Sequence, residues 1–130
     1  MINKKRMEKM LVAADKALQS TGILKKNNEG VCLVDKSEYE AYLAGFGAIV
    51  INLGLKSAII YYHNSRKIIL TAIGEVLSEF PERNLGKNAE ELKEMVVRED
   101  LRLNDHIQWI VDASVALKMM IRTYGIKKDK

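Results

Sequence analysis

Apolar residues recur along most of this chain at steps of three and four, the spacing of one face of an α-helix. The first such stripe predicts a helix from Ile2 to about Thr21, with Gly22 where a C-terminal cap belongs. A polar loop is expected at residues 25–30. The short apolar segment 31–34 after it is expected to fold back on the core.

The longest apolar tract, residues 39–62, predicts two helices joined by a tight turn. Ser37 lies three residues before Glu40, the spacing of a capping box at the start of the first helix. Gly54 is expected to end that helix in a left-handed conformation, and Leu55 to make a hydrophobic contact after the turn. The expected buried positions of the first helix are Tyr39, Tyr42, Leu43, Phe46, Ile49, Val50 and Leu53.

Gly45 and Gly47 lie inside the first helix of this hairpin. Each lowers helix stability by roughly 1 kcal/mol relative to alanine, so we expect both to allow close approach of a neighbouring helix. The second helix of the hairpin should face inward through Ala58, Ile59 and Tyr62.

Three further stripes predict helices over residues 68–80, from 89 to about 97 and from about 103 to 124. Pro81 prevents continuation of the first of these, and Gly125 is expected to cap the last. A single proline, eight glycines and 48% hydrophobic residues also favour helices. We therefore expect an all-α fold, a compact bundle of about six helices around the central hairpin Tyr39–Tyr62.

The length of 130 residues allows one sizeable core, so residues 1–130 are expected to form a single helical domain whose end, 125–130, is a flexible basic tail. Cys32 is the single cysteine and cannot form an intramolecular disulfide. The N-terminus lacks the continuous apolar stretch of a signal peptide, and Asn52 and Lys56 interrupt the apolar tract, which disfavours a membrane crossing. A cytoplasmic location is expected.

Charge is segregated along the chain. Residues 1–74 and 113–130 carry net charges of +5 and +4, whereas residues 75–112 carry −5. The basic ends could meet a nucleic-acid backbone, an anionic membrane or an acidic protein, and a solvated lysine-rich surface is the alternative.

The sequence does not predict catalytic chemistry. Three residues separate His106 from Arg102, and seven separate it from Arg98, so neither pair has the spacing of the arginine-to-histidine motif of HEPN nucleases. The acidic run 90–94 contains no histidine at helical spacing, which favours a solvated face over a metal site. Phosphate-loop, nucleophile-elbow and zinc-peptidase motifs are absent. We expect a protein that is not an enzyme and needs no cofactor or metal.

Trp109, the single tryptophan, lies between the apolar positions Ile107 and Ile110 of the last predicted helix. It could be a stacking platform for a base or an anchor at a protein interface, or it could simply pack at the edge of the core.

A tyrosine-led helix, a glycine turn, a second helix ending in aromatic residues and a late tryptophan follow one another in this sequence. With these features in this order, the chain resembles the small helical subunit of type III-B CRISPR effector complexes, the Cmr complexes. The residues that carry the resemblance are Tyr39, Tyr42, Phe46, Asn52, Gly54, Leu55 and Trp109, together with Val50, Ala58 and Tyr62.

This resemblance implies a non-catalytic scaffold. Copies would stack as a filament along the effector, beside the channel where target RNA pairs with the CRISPR RNA, and neighbouring subunits would perform cleavage. The implied partners are the other effector subunits, the RNA backbone and further copies of this chain, with no membrane. Charge segregation suits stacking, so we expect the acidic segment Glu90–Asp100 of one copy to meet a basic end of the next.

RNA would be contacted through phosphates by lysine and arginine. The candidate residues are Lys25, Lys26, Lys56, Arg66, Lys67, Lys118 and Arg122. Two other interpretations stay open: a helical adaptor of another system that binds protein alone, and a HEPN-like RNase.

Overall fold

The computed structural model describes residues 4–81, 87–98 and 102–126, with side chains from residue 107 onward in the last range. Six helices occur in these ranges: α1 (Lys4–Ser20), α2 (Glu38–Leu53), α3 (Leu55–Ser65), α4 (Lys67–Leu77), α5 (Ala89–Val97) and α6 (Arg102–Ile121). Two short strands, β1 (Leu24–Lys26) and β2 (Cys32–Val34), lie between α1 and α2. The expected all-α bundle is confirmed.

The helices pack around α4 and α6. Helix α6 contacts α1, α2 and α4, while α4 also contacts α1, α3 and α5. Seven of the eleven residues of α4 are buried, against two of the sixteen residues of α2. The most buried helix is therefore α4, and α2 lies at the outside of the bundle with one side toward α3 and α6.

The turn of the hairpin forms as expected. Gly54 has a φ of +89°, and its N–H donates a hydrogen bond of 2.9 Å to the Val50 carbonyl, which ends α2. Helix α3 begins at the next residue, Leu55, which is buried. Ala58, Ile59 and Tyr62 are also buried, so the inward face of α3 is confirmed.

The expected buried stripe of α2 is too wide. Leu43 and Phe46 are buried, but Leu53 is 67% exposed, so its assignment to the core is wrong. The other four predicted positions, Tyr39, Tyr42, Ile49 and Val50, are half-buried. The reason is that α2 packs on the bundle along one narrow side, with Leu43 and Phe46 at its centre and Leu53 outside it.

The prediction of a capping box at Ser37 is also wrong. Ser37 has helical dihedral angles, φ −60° and ψ −31°, and its side chain makes no capping hydrogen bond. A serine already in the helical region no longer has the extended backbone geometry that an N-cap residue usually adopts.

Close approach is confirmed at one of the two predicted glycines. A Cβ added to Gly45 would lie 3.3 Å from the Tyr62 hydroxyl, whereas one added to Gly47 would meet nothing within 4 Å. The tightest approach is at Gly74, where an added Cβ would lie 2.5 Å from the Asn88 nitrogen. Gly74 therefore allows the backbone before α5 to pack directly on α4, a contact that the sequence pattern did not reveal.

The segment 24–34 forms an antiparallel hairpin instead of a loop and an apolar patch. Leu24 pairs with Val34, and Lys26 pairs with Cys32. The Asn27 side chain accepts hydrogen bonds from two backbone N–H groups of the turn. Strands of three residues are too short for alternation to be visible in the sequence, which explains the missed hairpin.

The helix ends show further differences. Gly22, with φ +85°, follows α1 as expected. Helix α6 ends at Ile121, four residues before Gly125, so Gly125 does not cap it. The Gly125 carbonyl instead accepts a hydrogen bond of 2.8 Å from the Val34 N–H of β2. The predicted start at Ile2, the acidic residues 99–100 and tail residues 127–130 lie outside the described residues, as do the side chains of residues 102–106.

Candidate nucleic-acid interface

The seven cations expected to contact RNA lie in four places. Lys25 and Lys26 are on β1, Lys56 is in the first turn of α3, Arg66 and Lys67 lie at the junction of α3 and α4, and Lys118 and Arg122 lie at the end of α6. Lys56 and Arg66 are ten residues apart at opposite ends of α3, about 15 Å along its axis. The structure does not bring the seven together in one patch.

Within the described residues, at least three of these cations face carboxylates. Lys25 lies 3.6 Å from Asp35, Lys67 lies 2.5 Å from Glu90, and Arg122 lies 3.6 Å from Glu40. Such exposed pairs contribute little to stability, but each one offsets a positive charge that would otherwise attract a phosphate.

Arg66 has a different environment, because it lies over three tyrosine rings. Its guanidinium carbon is 4.2 Å from the ring centroid of Tyr42, 5.2 Å from that of Tyr61 and 5.1 Å from that of Tyr62. One terminal nitrogen also donates a hydrogen bond of 3.2 Å to the Tyr62 hydroxyl. We call Arg66, Tyr42, Tyr61 and Tyr62 the Arg66 cluster.

The break between α3 and α4 positions Arg66. The backbone of this residue leaves the helical conformation, with φ −143° and ψ 48°, and its N–H donates to the Tyr62 carbonyl at 2.7 Å. The side chain extends over Tyr62, one turn earlier on α3, and over Tyr42 on α2. The cluster therefore depends on the packing of the two helices of the hairpin.

Tyr62 is the buried base of the cluster. Its hydroxyl donates a hydrogen bond of 2.5 Å to the Tyr42 carbonyl, and its ring packs edge-on against Phe46 at 5.1 Å. Burial raises the pKa of the Tyr62 hydroxyl, an effect that Arg66 partly offsets through its hydrogen bond and charge. The hydroxyl is therefore protonated near neutral pH and can donate to Tyr42 while it accepts from Arg66.

The Arg66 cluster has the chemistry of a phosphate or carboxylate site. Stacking on aromatic rings restrains a guanidinium while leaving N–H groups at its edge to act as a fork. Arg66 is half-exposed, and among the described residues no carboxylate pairs with it. Tyr61 is 48% exposed beside it. A guanidinium of this kind can donate two parallel hydrogen bonds to a phosphate or carboxylate.

A second polar group lies next to the cluster. Glu90 at the start of α5 accepts hydrogen bonds from His63 at 2.9 Å and from Lys67 at 2.5 Å. These two donors, Lys67 first, lower the pKa of the Glu90 carboxyl to about 2. Glu90 thus connects α3, α4 and α5, and its ion pair with Lys67 keeps that lysine side chain against α5.

Trp109 packs at the edge of the core. Its ring meets Phe80 edge-on at 5.1 Å, and the Arg6 guanidinium lies 4.3 Å above it. Arg6 also pairs with the buried Asp112, which accepts a second hydrogen bond from Gln108 at 2.7 Å. The sequence analysis missed this α1 to α6 contact. The sequence feature that could have indicated this contact is Asp112, a charged residue that lies between apolar residues in the last predicted helix.

Among the described residues, no group of three or more His, Cys, Asp or Glu side chains could hold a metal ion. In the same part of the chain, no helix has the length and apolar character needed to cross a membrane. Comparison with protein-family models, curated proteins and solved structures finds no match to this chain.

Proposed function

We propose that this chain is a non-catalytic small subunit of a cytoplasmic, RNA-guided type III-B CRISPR effector that serves in antiviral defence. In this role it stacks with other subunits and contacts the backbone of the guide or target RNA. The sequence resemblance suggests the family, and the Arg66 cluster is the structural observation that supports RNA contact best.

Arg66 suits a phosphate contact because its orientation is set before RNA arrives. Binding through a mobile lysine requires the side chain to be ordered, whereas Arg66 is already restrained by three rings and a hydrogen bond. A phosphate can accept two parallel hydrogen bonds from a guanidinium edge. The half-exposed Tyr61 can add stacking with a base, which is tolerant of sequence. Both interactions fit a subunit that reads no bases.

The charge distribution supports stacking. Helix α5 exposes Glu91, and β1 exposes Lys26. Three other exposed charges on these elements already have partners within the chain: Glu90 pairs with Lys67, Glu94 with Arg98 and Lys25 with Asp35. In a head-to-tail arrangement the acidic surface of one copy would face a basic surface of the next, and such contacts can repeat into a filament.

The first test is capture of the tagged chain from its own cells, followed by sequencing of bound RNA and identification of bound proteins. We expect CRISPR RNA and larger effector subunits. Capture of proteins without CRISPR RNA would overturn the proposal and favour a protein-binding adaptor. Degradation of RNA by the purified chain that is lost in His106→Ala would overturn its non-catalytic part.

The second test measures binding of complementary target RNA to the assembled effector. Arg66→Gln removes the guanidinium, so we expect affinity to fall about three- to tenfold and the salt dependence to weaken. Lys67→Gln at the adjacent position is the matched control, since this lysine already pairs with Glu90. An effector that assembles with Arg66→Gln and binds target RNA as the wild type does would remove the Arg66 cluster from the interface.

A further inference from the structure

Helix α1 presents a row of lysines to solvent. Lys5, Lys9 and Lys16 are all exposed. At 100° per residue these positions lie within an arc of about 40°, on the side of α1 opposite the buried Met7 and Ala14. Lys5 and Lys16 are eleven residues apart, so the row extends about 16 Å along the helix axis. We call the three residues the α1 lysine row.

The positive charge of the row is not offset by ion pairs. Lys5 and Lys16 take part in no ion pair within the part of the chain that the structure describes. The Lys9 ammonium lies 4.6 Å from the centroid of the Phe80 ring, a contact that restrains the side chain and leaves its charge unpaired by a carboxylate. The row is therefore a line of cations free to attract an anion.

Two acidic residues lie on one flank of the row and do not interrupt it. Asp15 accepts hydrogen bonds from Tyr124 and Gln19, so its carboxylate is engaged within the chain. Glu8 is exposed, at about 80° from the middle of the row. The three lysines thus share a side of the helix that carries no acidic residue of α1.

The composition of the row favours a phosphate backbone over a protein surface. Lysine is depleted at protein–protein interfaces, where aromatic residues and arginine are enriched. The row contains neither, and the one apolar side chain in line with it is Val12, which is 61% exposed. Lysine binds phosphates as a point charge and supplies affinity that is independent of sequence. At about 3.4 Å per nucleotide along one strand of a duplex, the row spans about five nucleotides.

An anionic membrane fits the row less well. Polybasic segments that bind such membranes carry about four to eight cations, whereas the row has three. The apolar face of α1 is buried in the bundle, so it is not available to enter the headgroup region of a bilayer.

We propose that the α1 lysine row binds the sugar–phosphate backbone of a nucleic acid strand without sequence preference. The row is a second surface, distinct from the Arg66 cluster on α2 and α3, because α1 packs on α4, α6 and β1. It goes beyond the proposed function, since binding at the row requires neither CRISPR RNA nor other effector subunits.

Fluorescence anisotropy of a labelled single-stranded RNA of mixed sequence and about 20 nucleotides, titrated with the purified full-length chain, tests the row. We expect a Kd of about 1–100 µM at low salt. The double variant Lys5→Gln, Lys16→Gln should weaken binding about tenfold and reduce the slope of log Kd against log salt concentration by about 1.4. Glutamine has nearly the helix propensity of lysine, so α1 should stay folded, which circular dichroism checks.

The matched control is the double variant Lys36→Gln, Lys87→Gln. It removes the same charge from two exposed lysines outside the row, and it should change the affinity less than about twofold. Equal losses in the two double variants would show that binding follows net charge alone and would overturn the proposal. Wild-type affinity in Lys5→Gln, Lys16→Gln, or no binding of the RNA by the wild type at about 100 µM, would also overturn it.

Two further measurements separate this proposal from others. In an Arg66→Gln background the loss caused by Lys5→Gln, Lys16→Gln should persist at full size, because the row does not depend on the Arg66 cluster; disappearance of the loss would overturn the row as a separate surface. Vesicles of phosphatidylcholine and phosphatidylserine test the membrane alternative. Vesicle binding that requires Lys5 and Lys16, with RNA binding unchanged in the double variant, would overturn the proposal in favour of a lipid surface.

Discussion

The Tyr62 hydroxyl on α3 donates its hydrogen to the Tyr42 carbonyl on α2, across a distance of 2.5 Å. Gly45 leaves room beside this contact, since a Cβ there would lie a tight 3.3 Å from the hydroxyl. The same hydroxyl oxygen accepts a hydrogen bond from Arg66. One buried tyrosine therefore joins the two helices of the hairpin and supports the cationic cluster above them.

Tyr62→Phe should lower the free energy of unfolding by about 1–2 kcal/mol, because it keeps the buried ring but removes the hydroxyl that bonds the Tyr42 carbonyl and Arg66. Urea unfolding measures this loss. Tyr61→Phe on the same helix is the control: Tyr61 is 48% exposed, so little change is expected. Equal destabilisation by the two variants would contradict the importance of the Tyr62 hydrogen bond.

Gly74→Ala should destabilise the bundle by about 1–3 kcal/mol, because its Cβ would lie 2.5 Å from the Asn88 nitrogen and force α5 away from α4. Gly47→Ala is the matched control on α2. Its Cβ meets nothing within 4 Å, so the higher helix propensity of alanine should stabilise the chain by about 0.5–1 kcal/mol. Thermal unfolding of the two variants should therefore shift in opposite directions.

Asp112→Ala should lower the free energy of unfolding by about 1–3 kcal/mol, because it removes the buried carboxylate that accepts hydrogen bonds from both Arg6 and Gln108. Asp112→Asn should cost less, since an amide oxygen can still accept a hydrogen bond from Arg6 or Gln108. Denaturant unfolding gives both values. The reverse order of the two variants would show that the charge pair is not what stabilises the contact between α1 and α6.

Glu90→Gln should lower stability near neutral pH by removing the acceptor shared by His63 and Lys67. Folding lowers the pKa of this carboxyl from 4.5 to about 2, so the wild type gains stability above about pH 4.5 and loses it as the pH falls through about 2. The difference between wild type and variant in thermal unfolding should therefore shrink on acidification. Glu79→Gln, at an exposed position, is the control, and a difference independent of pH would exclude the charge of Glu90 as its source.

Several features of the fold were predictable from local pattern. The spacing of apolar residues gave helix α5 at its observed bounds, and Gly54 marked the turn between α2 and α3. The failures concern contacts between segments distant in sequence. Leu53 fits the helical period of α2 yet is 67% exposed, whereas Val50 in the same turn packs against the core. The hairpin of β1 and β2 is too short to show a period at all.

The candidate site was only partly visible in the sequence. Arg66 and Lys67 are adjacent cations and looked equivalent, but the structure gives Lys67 a carboxylate partner and Arg66 three tyrosine rings. Tyr62 and Tyr61 lie four and five residues before Arg66, a spacing that is visible in the sequence. Tyr42 on α2 and Glu90 on α5, in contrast, come from positions more than twenty residues away. Spacing along one helix contains no information about such neighbours.

The sequence by itself determined the helical class, the approximate position of each helix, the bounds of α5 and the glycine turn, because these depend on backbone propensity and on periodicities of a few residues. The tertiary structure decided which apolar positions are buried, which glycines allow close contact and which cation is restrained by aromatic rings. The physical reason is that burial, close packing and charge pairing are properties of two surfaces brought together, and the second surface lies elsewhere in the chain.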